Sequence, residues 1–247
     1  MWVNISQILH NKIRKGVELT GSLAEELLEE LEVETVFTIP IGDGIPIYES
    51  VVVSFLITAV VFLLSIIFVR NLKVENPGKG QLLLEAAICG IWGFFEDLLG
   101  KEGRKYIPYL ISVAVFIGFA NIIGIFGFKS PTKDMNVTVA LSLMSIVLIE
   151  ASSVAAKGPK KFIKSFAEPV PIVAPINILE IFIRPLSLCM RLSGNVLGAF
   201  VVLELIKLLV PAVVPVPFCL YFDLFDGLIQ AYVFVFLTTL FIRESIE

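Results

Sequence analysis

Histidine is nearly absent from this sequence. Its one copy, His10, lies in a polar stretch near the start, so the side chain that most readily changes charge near neutral pH is missing from every apolar segment. Any proton or ion relay within those segments must run through carboxylates, amides, hydroxyls or water. Cysteine is scarce too: Cys89, Cys189 and Cys219 each stand in an apolar run without a partner at ligand spacing, which reads as small buried hydrophobes. No metal site and no cofactor follow. Charged residues make up 17% of the chain, against about a quarter in soluble domains. They form no basic groove, which argues against a nucleic-acid partner. The pattern of a glycine-rich phosphate loop is missing as well. There is no repeat period and no inverted pair of matched halves, which weakens a reading as a repeat-built transporter.

What the chain has instead is apolar length. Of its 247 residues, 57% are hydrophobic, and they fall in runs of the about 20 residues needed to cross a bilayer. The predicted fold class is all-α: a polytopic membrane protein with five spans, at about 47–69, 106–128, 137–156, 175–209 and 218–242. A further helix at about 81–99 is interrupted by Glu85, Glu96 and Asp97 and carries Trp92, Phe94 and Phe95, so it is expected to lie in the interface. The span at 175–209 covers roughly 50 Å at 1.5 Å per residue, far more than the hydrocarbon core, so it must tilt or kink, with Pro185 the place for a kink.

Residues 1–46 form a polar tail rich in glutamate (Glu18, Glu25, Glu26, Glu29, Glu30, Glu32, Glu34), and 47–247 form the membrane domain. Gly42-Asp43-Gly44, between β-rich runs, predicts a small hairpin at the end of the tail. The start of the chain lacks the pattern of a cleaved signal, so the first span is expected to act as its own targeting signal. Arg70, Lys73, Lys79, Lys101, Arg104, Lys105 and the Lys157–Lys164 cluster fall on one side of the membrane, against Lys129 and Lys133 on the other. The positive-inside rule then puts the N-terminus outside and Glu247 inside.

The most informative residue is Arg191, a cation at membrane depth, where insertion costs at least about 2.5 to 3.5 kcal/mol. At about 100° per residue, Glu180, Arg184, Ser187, Gly194, Asn195 and Gly198 fall close to its face. The last helix adds Asp223, Asp226 and Gln230 on one face. With the two helices antiparallel and Gln230 level with Arg191, Asp223 lies about 10 Å and Glu204 about 20 Å outward, and Glu180 about 16 Å inward. Two polar half-paths result, with a fixed cation between them that an ion passes only if something carries it. A guanidinium stays charged in such a place, where a lysine can lose its proton.

Plainer roles stand beside these. Arg191 could form a structural ion pair within its own chain; Arg184 could anchor at the interface or pair with Glu180; Glu204 could pair with Lys207; Asp226 could cap a helix or line water. Gly194 and Gly198 could serve ordinary helix packing.

RPLSLCMRLSGN resembles the arginine-helix motif of the membrane stator subunit a of F-type ATP synthases, and Gln230 in LIQAYVFVFLT stands where that family has its glutamine. YIPYLISVAVFIGFANIIGIFG and KDMNVTVALSL are similar to its earlier span and loop, and the resemblance runs from about Thr35 to Ile242. It implies that Arg191 faces the carboxylate of each subunit of the c-subunit rotor ring, with Asn195 as its polar neighbour and Gln230 as its contact. It also implies that the last two helices tilt strongly, that the peripheral-stalk b subunits and the rest of the complex are partners, and that proton or sodium flow through two half-channels turns the ring. The sequence departs from the family at Ser193, usually aromatic, at Phe200, often glutamate, for which Glu204 one turn on could substitute, and at Asp223, often histidine or glutamate. The location expected is the cytoplasmic membrane of a bacterium or an organelle membrane of bacterial descent, with the lack of a transit-peptide pattern favouring the first. Two other classes remain open: an ion-coupled transporter binding an anionic substrate at Arg191, and a scaffold held by internal ion pairs.

Overall fold

The computed structural model describes residues 35–39, 45–70, 72, 78–126, 128–159, 162, 174–209 and 215–246. The acidic segment through Glu34, the Gly42-Asp43-Gly44 turn and three lysines of the basic cluster, Lys160, Lys161 and Lys164, lie outside them. Strands β1 (Thr35–Ile39) and β2 (Ile45–Tyr48) pair antiparallel, and Tyr48 leads directly into the first helix. Among the described residues everything else of length is helical, because a chain in hydrocarbon has no water to satisfy its amides and must pair them within each segment.

The helices are α1 (Glu49–Val69), α2 (Lys79–Leu99), α3 (Ile107–Ile122), α4 (Met135–Lys157), α5 (Ala174–Leu209) and α6 (Pro215–Ile246). Five of the described helical segments are long and apolar enough to cross a membrane, with α3 extended by short 3-10 turns at both ends. The remaining helix, α2, packs Phe95 and Leu99 inward and sets Phe94 beside Tyr232 and Phe236 of α6, leaving Leu82, Leu83 and Ile91 exposed. It stops at Gly100, whose φ of 69° favours glycine.

The core lies among α3, α4, α5 and α6, where Ile107, Leu110, Ile117, Ile149, Leu188 and Ile242 are fully buried. Between helices in lipid the hydrophobic effect gives little, so small residues and hydrogen bonds must hold the bundle. The α4 sequence supplies them: Thr138, Ser142, Ser145 and Ser152 are buried and repeat at helical spacing, and each donates to a carbonyl of its own helix. Cross-links then add specificity. Ser145 meets Tyr109 of α3 at 3.1 Å, and Ser152 meets Ser245 of α6 at 2.7 Å.

At the opposite end, Asp134 caps α4 by accepting from the Asn136 amide, and its second oxygen accepts from Ser50 of α1. That buried carboxylate therefore ties the start of α1 to the bundle, while Phe55, Phe62 and Ile67 of α1 stay exposed. Nearby, Asn121 of α3 accepts from Thr132 at 2.7 Å and donates to the carbonyl of Gly227 on α6 at 3.0 Å. A Cβ at Gly227 would stand 2.6 Å from the Asn121 Cβ, so only glycine permits this approach.

Gly227→Ala is therefore expected to lower the melting temperature of the detergent-solubilised protein, from an overpacking cost of about 1 to 3 kcal/mol. Gly90→Ala, where a Cβ meets nothing within 4 Å, should leave it unchanged or slightly raised. Equal melting of the two variants would show that the α3–α6 contact is looser than described.

Candidate functional site

The site is built on the antiparallel pair α5 and α6. Pro185 inside α5 has no amide hydrogen, which frees the Ile181 carbonyl and loosens the helix between its two arginines. Below the proline, Arg184 is largely covered, with Nη2 3.2 Å from Glu180 and 3.1 Å from Glu244 of α6, and its guanidinium 5.0 Å from the centre of the Phe241 ring. Above it, two turns on and about 20° round the helix, Arg191 is exposed. Among the described residues no carboxylate lies within ion-pair distance of Arg191. The same polar stripe is thus covered by α6 at Arg184 and open at Arg191.

Next to the arginine the open stripe is built of small groups. Gly194 and Gly198 are exposed and a Cβ on either would meet nothing within 4 Å, so another backbone can approach there closely. Ile183, Leu186, Met190 and Leu197 flank it as exposed apolar residues. Behind the stripe, Leu188, Leu192 and Ser193 are buried in the bundle. Ser193 donates to the Cys189 carbonyl and so sits in this position without an unpaired hydroxyl.

Asn195, one turn beyond Arg191, turns toward α6 and donates to Asp226 at 2.7 Å. Asp226 ends a π-helical segment, Leu220–Asp226, which widens the turn carrying both aspartates of α6. Asp223 accepts from the Cys219 thiol at 2.9 Å, and its carboxyl fills the space beside Gly124, where a Cβ would come within 3.1 Å. Asp223, Asp226 and Gln230 line one cleft of about 320 Å³, closed by Asn121 of α3 and by Val196 and Phe200 of α5. Lys129, Lys133 and Lys207 also line it, with the Lys133 ammonium 3.4 Å from the centre of the Phe200 ring.

Three of the residues singled out from sequence, Asp223, Asp226 and Gln230, thus share a cleft, and Asn195 is hydrogen-bonded to one of them. Arg191 stands outside that cleft on the open face, and Glu180 is bound to Arg184 some three turns away. The Glu204 side chain lies outside the described residues. Sequence pattern did not single out Asn121, Lys133 or Glu150. An asparagine and a carboxylate inside apolar spans were signals that could have found the first and last, whereas the placement of Lys133 over Phe200 depends on the fold alone.

The ATP synthase A chain family matches residues 51–243, a stretch containing every residue of the cleft and of the open stripe. The chain belongs to that family. ATP synthase subunit a of Moorella thermoacetica is 34% identical over 205 residues, 82% of this chain and 93% of the relative. The sodium-ion-specific subunit a of Propionigenium modestum is 35% identical over 197 residues, 72% of this chain and 66% of the relative. Subunit a 2 of a Bradyrhizobium species is 32% identical over 203 residues, covering 82% and 90%. Family membership makes the chain a membrane-embedded subunit of an ATP synthase, taking part in ion transport and ATP synthesis.

Within the family's function, the Asn195–Asp226 contact is expected to act as a unit. Asn195→Leu and Asp226→Leu should each depress ATP-driven ion uptake by inverted vesicles, and the double variant should be scarcely worse than the weaker single. The interaction in such a cycle is about 0.5 to 3 kcal/mol for groups in contact. Strictly additive losses would mean that the two side chains work apart.

Proposed function

We propose that this chain is the stator of the ATP synthase membrane sector, forming two half-paths for protons or sodium ions at its interface with a c-subunit ring, with Arg191 as the charge between them. The observation that carries this reading is Arg191 itself: an exposed guanidinium at membrane depth, without a carboxylate of its own chain among the described residues. A charge so placed needs an anion from a partner, and a rotor carboxylate arriving at the open stripe supplies it. The bare Gly194 and Gly198 allow a partner helix to come close.

In this mechanism the cleft with Asp223, Asp226 and Gln230 is the outer half-path, and Glu204 lies further outward along α5. An ion entering there neutralises a rotor carboxylate, which leaves the arginine and turns into the lipid. After nearly a full turn the carboxylate meets the inner half-path and gives the ion up, because the guanidinium beyond it favours the ionised form. Arg191 also bars direct leakage between the paths, since a fixed cation repels a bare one. Peripheral-stalk b subunits hold the stator against the torque. The chain sits in the cytoplasmic membrane of a bacterium with its N-terminus outside, as the loop lysines and arginines support.

The test is ATP-driven ion pumping in inverted vesicles containing the whole complex. Arg191→Ala and Arg191→Lys should both abolish coupled pumping while the complex still assembles, since alanine removes the charge and a lysine can shed its proton. Near-normal pumping in Arg191→Ala would sink the stator mechanism and reopen the transporter and scaffold readings.

A further inference from the structure

Helix α4 carries a carboxylate in its interior that the scheme above does not use. Glu150 lies seven residues before Lys157, or about 10 Å along the helix. It is half-buried, and it makes no hydrogen bond and no ion pair among the described residues. Its electrostatic partner is Arg184 of α5. An acidic residue at such depth costs several kcal/mol and is kept where it has a partner or a task.

Arg184 is only partly committed. Its Nη2 binds both Glu180 and Glu244, carboxylates that are 50% and 60% exposed, while its Nε is buried and makes no hydrogen bond. Among the described residues, a buried donor without a partner thus stands within electrostatic range of an acceptor without one. Glu180, which the sequence pattern assigned to the inner path, is by contrast held in an ion pair.

We propose that Glu150 is the ion-exchanging carboxylate of the inner half-path, with Arg184 as its fixed counter-cation. The proposal rests on the stator reading. Arg184 lies seven residues, about 10 Å, inward of Arg191, which sets Glu150 just inward of the stator charge. The charged group that acts on Glu150 is Arg184, and Arg184 in turn holds Glu180 of α5 and Glu244 of α6 beside it. One positive and two negative charges leave that surround attractive to a cation. A proton released by a rotor carboxyl passes through water to the Glu150 carboxylate, makes it a carboxylic acid, and is then given to the inner water, restoring the carboxylate with no electron moved. For sodium, the carboxylate oxygens replace water ligands on the ion in transit and then give it back to water.

The experiment uses the whole complex in inverted vesicles, with ATP-driven uptake followed by a pH-sensitive dye and by radioactive sodium. Passive flux is measured after the soluble head is stripped off. Glu150→Gln should lower uptake and passive flux about a hundredfold, the low end of what a positioned proton-transfer group contributes, and flatten the dependence of flux on inner pH. Glu150→Asp should restore most of the flux with a displaced pH profile. Wild-type flux and profile in an assembled Glu150→Gln complex would overturn the proposal, as would a loss that aspartate does not rescue. Should the glutamine variant fail to assemble, Glu150→Asp decides alone: a displaced profile supports the role and an unchanged one refutes it. Arg191→Ala is run alongside. Normal pumping there refutes the stator reading, whereas its loss together with normal Glu150→Gln flux refutes only the assignment of Glu150.

Discussion

A guanidinium at membrane depth that faces outward, with no carboxylate of its own chain beside it among the described residues, is the constraint on which the rest of the structure depends. Leaving Arg191 among lipid tails would cost at least about 2.5 to 3.5 kcal/mol, a cost that a partner's anion would offset. The surrounding structure leaves that place open. Helix α6, which pairs Arg184 through Glu244, offers no carboxylate within ion-pair distance of Arg191. The nearest turn of α5 offers glycines instead, and Asn195, which has a side chain able to reach, is turned to Asp226.

In the proposed mechanism such a charge works only if its position is fixed, and the bundle packed behind it can hold it. The buried stripe of α4 hydroxyls, each already bonded to its own helix, lets α4 pack against α5 and α6 without leaving those hydroxyls unpaired. At the cleft end, the Asn121 amide and the bare Cα of Gly227 bring α3 and α6 together just before the helix turn that carries Gln230. Disturbing either contact would move Asp226 and Gln230 as a unit, because they lie on one helix face within four residues. Helix α1, by contrast, touches the bundle through Ser50, Val53, Ile57 and Val61 and leaves most of its remaining apolar surface exposed.

Much of this was legible in the sequence. The spans announce themselves by length and apolarity, and the arginine helix expected from about 175 to 209 forms over Ala174–Leu209. The hairpin was readable from two β-rich runs around Gly42-Asp43-Gly44, and the strands on either side pair accordingly. Three acidic interruptions sufficed to set α2 apart from the five spans. Helical spacing also placed Asp223, Asp226 and Gln230 on one face, and they share a cleft. What spacing could not give was partnership across helices. Nothing local to Asn195 says that it meets Asp226 rather than Arg191. The π-helical segment has no signature in its residues, and it alters the register of both aspartates relative to a regular helix. Glu244, near the end of the last helix, drew no role from the sequence, and the fold lays it against Arg184.

The two arginines of α5 make the underlying physics visible. They lie seven residues apart and nearly in line, so helical spacing alone sets them on the same face. Their difference comes from what α6 does at each level. At Arg184 it presents Phe241 and Glu244, an aromatic face and a carboxylate, and the cation is stacked and paired. At Arg191 it presents neither. A paired guanidinium holds helices together and resists removal, because breaking the pair leaves a carboxylate behind. In the proposed stator mechanism an unpaired one is satisfied by each rotor carboxylate that arrives in turn. A stationary element that must let go of one partner to receive the next would then have to keep its own carboxylates away from that residue. The same helix can afford a tight ion pair two turns lower, where holding on is what the structure needs.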